Sequence, residues 1–168
     1  MKVQVINTST NKLPEYETKY AACADVRADF SNTDTTNPIK AYGDVEFFFN
    51  IDKNKQMIKL SPGSRAIIPT GLRTSIPRGY EIQVRMRSGL SIKTGLMMCN
   101  SIGVIDEDYT GNIGIILTNQ GFEDVFIEHG ERIAQLALCK VERIEWDEVS
   151  RLNKTERGDN GYGSTGSN

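Results

Sequence analysis

Apolar and polar residues alternate along most of this chain with the period of two that a half-buried strand requires. The pattern predicts strands over residues 2–6, 66–69, 74–76 and 80–85, then over 113–118, 122–127, 133–141 and 144–148. The 113–118 run is continuously apolar, as in a strand buried on both faces. Thr70-Gly71 and Pro77-Arg78-Gly79 read as turns between runs. Only residues 86–98 leave room for a helical turn, and Gly89 and Gly95 argue against more. Many short strands separated by Gly and Pro predict an all-β domain, a barrel or a sandwich. No internal repeat or linker interrupts the pattern, so one domain is expected.

Residues 29–59 stand apart. Their first part, through Ser31-Asn32-Thr33-Asp34-Thr35-Thr36-Asn37-Pro38, is polar. An aromatic-rich strand over 45–51, a turn at Asp52-Lys53-Asn54-Lys55 and a second strand over 56–60 then predict a β-hairpin. Phe47, Phe48 and Phe49 in succession put rings on both faces of its first strand. One face can pack on the domain; the other is covered by a neighbouring subunit or partner, or is exposed.

Composition narrows the classes. A chain of 168 residues can bury a core without staples, yet 38% hydrophobic and 8% aromatic residues are few for a monomer that must cover all of it alone. A net charge of −2 gives no reason to expect nucleic-acid binding, so an anionic ligand needs local cations. Cys23, Cys99 and Cys139 fit no metal-ligand spacing and are expected to be reduced, buried thiols. No apolar run resembles a signal peptide or a membrane span, and a cytoplasmic location is expected. His129 is the one histidine; it is expected to lie exposed and uninvolved in a turn.

Four segments carry possible chemistry. Arg87-Ser88-Gly89-Leu90 follows a strand, where N–H groups and a hydroxyl can meet a phosphate, or Arg87 can simply form an ion pair. The run from Asn100 to Gly111 delivers Asp106 into a hairpin turn; a carboxylate there can take a proton from water, or be a solvated acidic turn. Gly130-Glu131-Arg132-Ile133-Ala134-Gln135-Leu136 places Gln135 in an apolar strand, where burial would demand a partner. The stretch Arg157-Gly158-Asp159-Asn160-Gly161-Tyr162-Gly163-Ser164-Thr165-Gly166 can wrap a phosphate chain or be a floppy tail.

With Ala22-Cys23-Ala24-Asp25-Val26-Arg27-Ala28 ahead of them, these segments resemble the five ordered motifs of the trimeric dUTPase family. The resemblance implies a β-clip, or distorted jelly-roll, subunit with residues 29–59 as an extra hairpin. It implies residues 1–156 as the domain and 157–168 as an arm that closes over a neighbouring subunit's site. It further implies a homotrimer whose sites draw the first, second and fourth motifs from one chain, the third from another and the fifth from the remaining one. The implied reaction is Mg²⁺-assisted hydrolysis of dUTP to dUMP and pyrophosphate, which limits uracil in DNA and supplies dUMP for dTMP synthesis.

Roles follow from the same resemblance. Asp106 would activate the water that attacks the α-phosphorus, and Asp25 would hold Mg²⁺ through water. Arg87, bracing Asp106 or a nearby acidic group, Ser88, Gly89 and Gln135 would serve the phosphates, and Arg157 the γ end. Asn100, Gly103, Val104, Ile105 and Gly114 belong to the hairpin that reads uracil. Tyr109 would lie under the deoxyribose. Tyr162 would stack on the base, within the Gly163-Ser164 wrap. Three positions depart from the family pattern: Cys23 replaces Gly, Met86 replaces Pro and Tyr162 replaces Phe. Other readings remain beside the hydrolase: a regulatory protein that binds a partner through residues 29–59, as in some phage members, or a relative of dCTP deaminase. A phage origin would place the enzyme in the host cytoplasm.

Overall fold

The computed structural model describes residues 1–33, 38–50 and 55–161. In chain order these form β1 (Gln4–Asn7), β2 (Ala24–Arg27), β3 (Ala41–Tyr42), β4 (Val45–Asn50), β5 (Lys55–Leu60), β6 (Arg65–Ser75) and β7 (Tyr80–Met86). A short helix α1 (Ser88–Thr94) then leads to β8 (Leu96–Met98), β9 (Gly103–Ile105), β10 (Asn112–Asn119), β11 (Val125–Glu128) and β12 (Arg132–Lys140). The all-β expectation holds. None of the described helices is long and apolar enough to cross a membrane.

Three antiparallel sheets enclose the core. One runs β1-β6-β10-β8, with β3 also on β6; the second runs β11-β5-β4; the third runs β2-β12-β7-β9. The facing side chains of Val26, Ile58, Leu60, Ile68, Val84, Ile113, Ile115, Leu117, Ile127 and Ile133 are buried to 2% exposure or less. They meet in one apolar cluster, and each contributes roughly 1.5–3 kcal/mol on burial.

β6 corrects one expected turn. Thr70-Gly71 does not separate two strands; β6 continues through both residues. Gly71 takes φ +68°, and a Cβ there would lie 2.6 Å from both Asp29 Oδ2 and Ser9 Cβ. The Thr70 hydroxyl donates to the Ile113 carbonyl at 2.7 Å, beside a register shift between Asn112 and Gly114. The glycine therefore marks a bulge, which tertiary pairing keeps inside one long strand.

The hairpin over 45–60 forms as expected, with its turn residues 51–54 outside the described residues. Its second strand is more than an appendage: β5 pairs with β11, and Met57, Ile58 and Leu60 are buried. Phe47 meets Phe30 edge-on at 5.6 Å, and Phe48 meets Phe126 at 6.1 Å, so both ring faces find aromatic neighbours within the chain.

Other differences have local causes. Buried Asn119 donates to the carbonyls of Leu60 and Glu123 and accepts from the Gly121 N–H. That clamp curls residues 120–124 into a turn, delays β11 to Val125 and leaves Phe122 exposed. Residues 144–148 form no strand among the described residues; Ile144 and Trp146 extend into solvent without a ladder partner. The helical turn becomes two turns of α1, ended by Gly95 at φ +75°. Cys99, at the chain reversal after β8, is exposed rather than buried; Cys23 and Cys139 are half-buried and free.

His129 also departs from expectation. Its ring is only 21% exposed. Nδ1 accepts the Phe30 N–H at 3.0 Å, so the neutral ring places its proton on Nε2, 2.9 Å from the Thr10 hydroxyl. The side chain ties the turn before β12 to two N-terminal segments. Its role in the fold is structural.

Candidate functional site

The β2–β12 register sets Gln135 opposite Asp25, and β12 sets Ala134 opposite Met86 at the end of β7. Asp25, Gln135 and Arg87 therefore converge at one end of the third sheet. The Asp25 side chain is 5% exposed, and both of its oxygens have partners. Its Oδ1 accepts from Gln135 Nε2 at 2.9 Å. Its Oδ2 faces Arg132 Nη1 at 3.1 Å and Arg87 Nε at 3.4 Å. Arg87 also donates to the Arg132 carbonyl at 2.9 Å. Within one chain the acidic group beside Arg87 is Asp25.

Two further members of this cluster are Arg132 and Glu17. The Asp25 N–H donates to the Glu15 carbonyl, which lays the 15–17 segment beside β2. Glu17 Oε1 then reaches Arg132 Nη1 at 2.7 Å. Hydrogen bonding to Glu17, reinforced by the charges of Glu17 and Asp25, pushes the Arg132 pKa upward. Arg132 lies inside a segment already singled out. Nothing local in the sequence marks Glu17, because the contact depends on strand register.

Ser88 and Gly89 open α1 beside Arg87 and are exposed. The N–H groups of Leu90 and Ser91 donate to the Arg87 carbonyl, whereas those of the two residues before them lie ahead of the helical ladder. A Cβ on Gly89 would meet nothing within 4 Å, so its own chain does not demand glycine there.

Asp106 sits elsewhere. β9 pairs with β7 through Val84 opposite Gly103 and Ile82 opposite Ile105, which leaves the next residue, Asp106, beside Glu81. From Glu81 to Arg87 the strand covers roughly 20 Å, so one chain holds Asp106 and Asp25 at opposite ends of the sheet. The Asp106 turn is exposed, and closes through the Tyr109 N–H to the Asp106 carbonyl at 3.1 Å. The Tyr109 hydroxyl donates to the Asn112 carbonyl at 2.9 Å, and its ring covers Gly111 so closely that a Cβ there would lie 2.6 Å from the hydroxyl oxygen. Asn100 and Val104 are exposed on this hairpin, with Gly103 packed against Val84. Gly114 lies where a Cβ would strike Ile67 at 2.5 Å.

Arg157 is exposed, and its Nε donates to the Asn160 carbonyl at 2.9 Å. Tyr162, Gly163 and Ser164 lie outside the described residues.

Among the described residues no group of three or more His, Cys, Asp or Glu side chains could hold a metal ion directly. Asp25 already receives Gln135, Arg87 and Arg132, which leaves about one of its four lone-pair sites for a water. That leaves room for a water on Asp25 rather than for a directly bound metal ion.

The chain is similar to known proteins along nearly its whole length. A family model described as dUTPase matches residues 49–166. A deoxyuridine 5'-triphosphate nucleotidohydrolase of Finegoldia magna is 42% identical over 166 residues, 99% of each chain. That of Fusobacterium nucleatum is also 42% identical, over 99% of this chain and 97% of its own. Both relatives are thus nearly the same length and have room for the 29–59 segment. A solved variant of the Staphylococcus bacteriophage 80alpha dUTPase with dUpNHpp superposes with a TM-score of 0.74 at 26% identity, over 98% of both chains.

Proposed function

The chain belongs to the dUTPase family, and from that premise we propose how its residues hydrolyse dUTP to dUMP and pyrophosphate. The observation that carries the proposal is the separation of Asp106 from the Asp25–Arg87–Gln135 cluster along β7. Neither end holds a complete set of groups. dUTPases are typically trimers. In a trimer the Asp106 turn of one subunit faces the Asp25 cluster of another, and each site takes half of its chemistry from each.

In this arrangement Ser88, Gly89 and Arg87 receive the phosphate chain, through a hydroxyl, free N–H groups and a guanidinium. Gln135 and Arg132 fix the orientation of Asp25. The family generally uses Mg²⁺; Asp25 would hold it through water, and the ion would supply charge neutralisation at the phosphates. Asp106 accepts the proton of a water aligned with the α-phosphorus. Asn100 and the backbone of Gly103, Val104, Ile105 and Gly114 read the uracil edge, where close walls reject a 5-methyl group. Tyr109, braced on Asn112, offers its ring to the deoxyribose. Residues 1–156 act as the domain; 157–168 close as an arm, with Arg157 on the γ-phosphate and Tyr162 on the base inside Gly163 and Ser164. dUpNHpp with the phage enzyme is a triphosphate analogue of this kind.

Subunit mixing tests the shared site. Asp25→Asn and Asp106→Asn chains, each inactive alone, are unfolded together in equal amounts and refolded. Each mixed trimer then regains one intact site, so about a quarter of native dUTP turnover returns. If the mixture stays as inactive as its parents, the site is not shared in this way.

A further inference from the structure

Glu107 is adjacent to Asp106, and its two carboxylate oxygens have separate partners. Oε2 accepts the backbone N–H of Gly79, in the turn between β6 and β7. Oε1 faces Arg143 Nη2 at 3.3 Å, just past the end of β12. The Glu107 side chain is 26% exposed, against 83% for Arg143. Gly79 is engaged on its other side too: its carbonyl accepts the Val141 N–H at 2.9 Å. One glycine therefore receives the Asp106 turn through its N–H and the root of the C-terminal segment through its carbonyl. It holds φ +79°, a conformation that a side chain would strain.

We propose that Glu107 is a positioning residue for Asp106: through Gly79 it clamps the turn that carries the base, and through Arg143 it ties that turn to the segment that follows β12. This rests on the assignment of Asp106 as the base. The Asp106 turn needs such a clamp. On its other flank it has Tyr109 bonding within the same hairpin and Arg73 Nε donating to the Thr110 carbonyl at 2.8 Å. The β9–β7 ladder holds this side of the turn up to Ile105, and among the described residues Glu107 is the side chain that ties it onward to the turn between β6 and β7 and to the segment after β12. A charge-assisted bond to a backbone N–H is short and directional, and a misplacement of about 1 Å at a reacting group costs roughly 100-fold in rate.

Substitutions at Glu107 separate the two oxygens. In Glu107→Gln the amide oxygen stays on the Gly79 N–H while the amino group turns to Arg143, so the clamp survives and the tether is lost. In Glu107→Ala both are lost. Steady-state dUTP kinetics on the full-length trimer should show kcat down by about 10- to 100-fold in Glu107→Ala with KM within about twofold. Glu107→Gln and Arg143→Ala should each keep kcat within about threefold, and their double variant should be no worse than either, since both remove the same exposed pair. Deuterium uptake at the Gly79 amide should rise in Glu107→Ala and stay native in Glu107→Gln. This readout stands even if Glu107→Ala trimers are less stable. Native-like kcat in Glu107→Ala, or equal losses in the Ala and Gln variants, overturns the inference. A native chain without dUTP turnover overturns the assignment of the base and this inference with it.

Discussion

The two ends of β7 hold acidic groups in opposite ways. At one end Asp25 is buried, with two guanidinium groups and an amide filling its oxygens. At the other, Asp106 is exposed on a turn held by its neighbours' contacts. The first is a finished structural unit before any ligand arrives. The second holds its carboxylate at the surface. In the shared site proposed above the two ends divide the labour, one subunit supplying a preformed cluster and the next an accessible carboxylate.

The largest test removes the reactive end. Asp106→Asn should lower kcat by about 100- to 10,000-fold while the affinity for a non-hydrolysable dUTP analogue, measured by calorimetry, changes little. A variant that turns over normally would place the base elsewhere. Truncation after Lys154 should come next, with turnover down about 100-fold as the closing arm is lost. Gel filtration should still show the native oligomer; dissociation would make the arm a structural element. The smallest effect separates the two carboxylates by stability. Asp25→Ala removes the carboxylate that Arg87, Arg132 and Gln135 share and should cost about 2 kcal/mol in denaturant unfolding, less than a fully buried pair because Arg132 is 34% exposed and keeps Glu17. Asp106→Ala should change stability by less than about 0.5 kcal/mol. Equal losses would erase the distinction drawn between the ends.

The strands with strict alternation are legible in the sequence alone, as are the segments around Asp25, Arg87, Asp106 and Gln135, because both depend on local residue order. What escapes depends on partners distant in the chain. Gly71 looks like a turn until Asp29 and the β10 register hold it inside β6. Residues 144–148 alternate as a strand should, but alternation supplies no neighbour to pair with. Glu17 and His129 gain their roles from register and from a turn packed on the N-terminal segments. No composition or motif rule reaches such contacts.

The pairing of β2 with β12 has a consequence for the order in which the molecule forms. Asp25 and Gln135 are 110 residues apart in the chain. The central strand β6 can find β1 once the first 75 residues are available, but β2 has no sheet until residues 132–136 arrive. Closing so long a loop carries an entropy penalty that no local contact offsets, and it slows folding. During synthesis Asp25 therefore waits without these partners while β1 and β6 gather. Its place in the finished sheet is set by one of the longest loop closures in the fold.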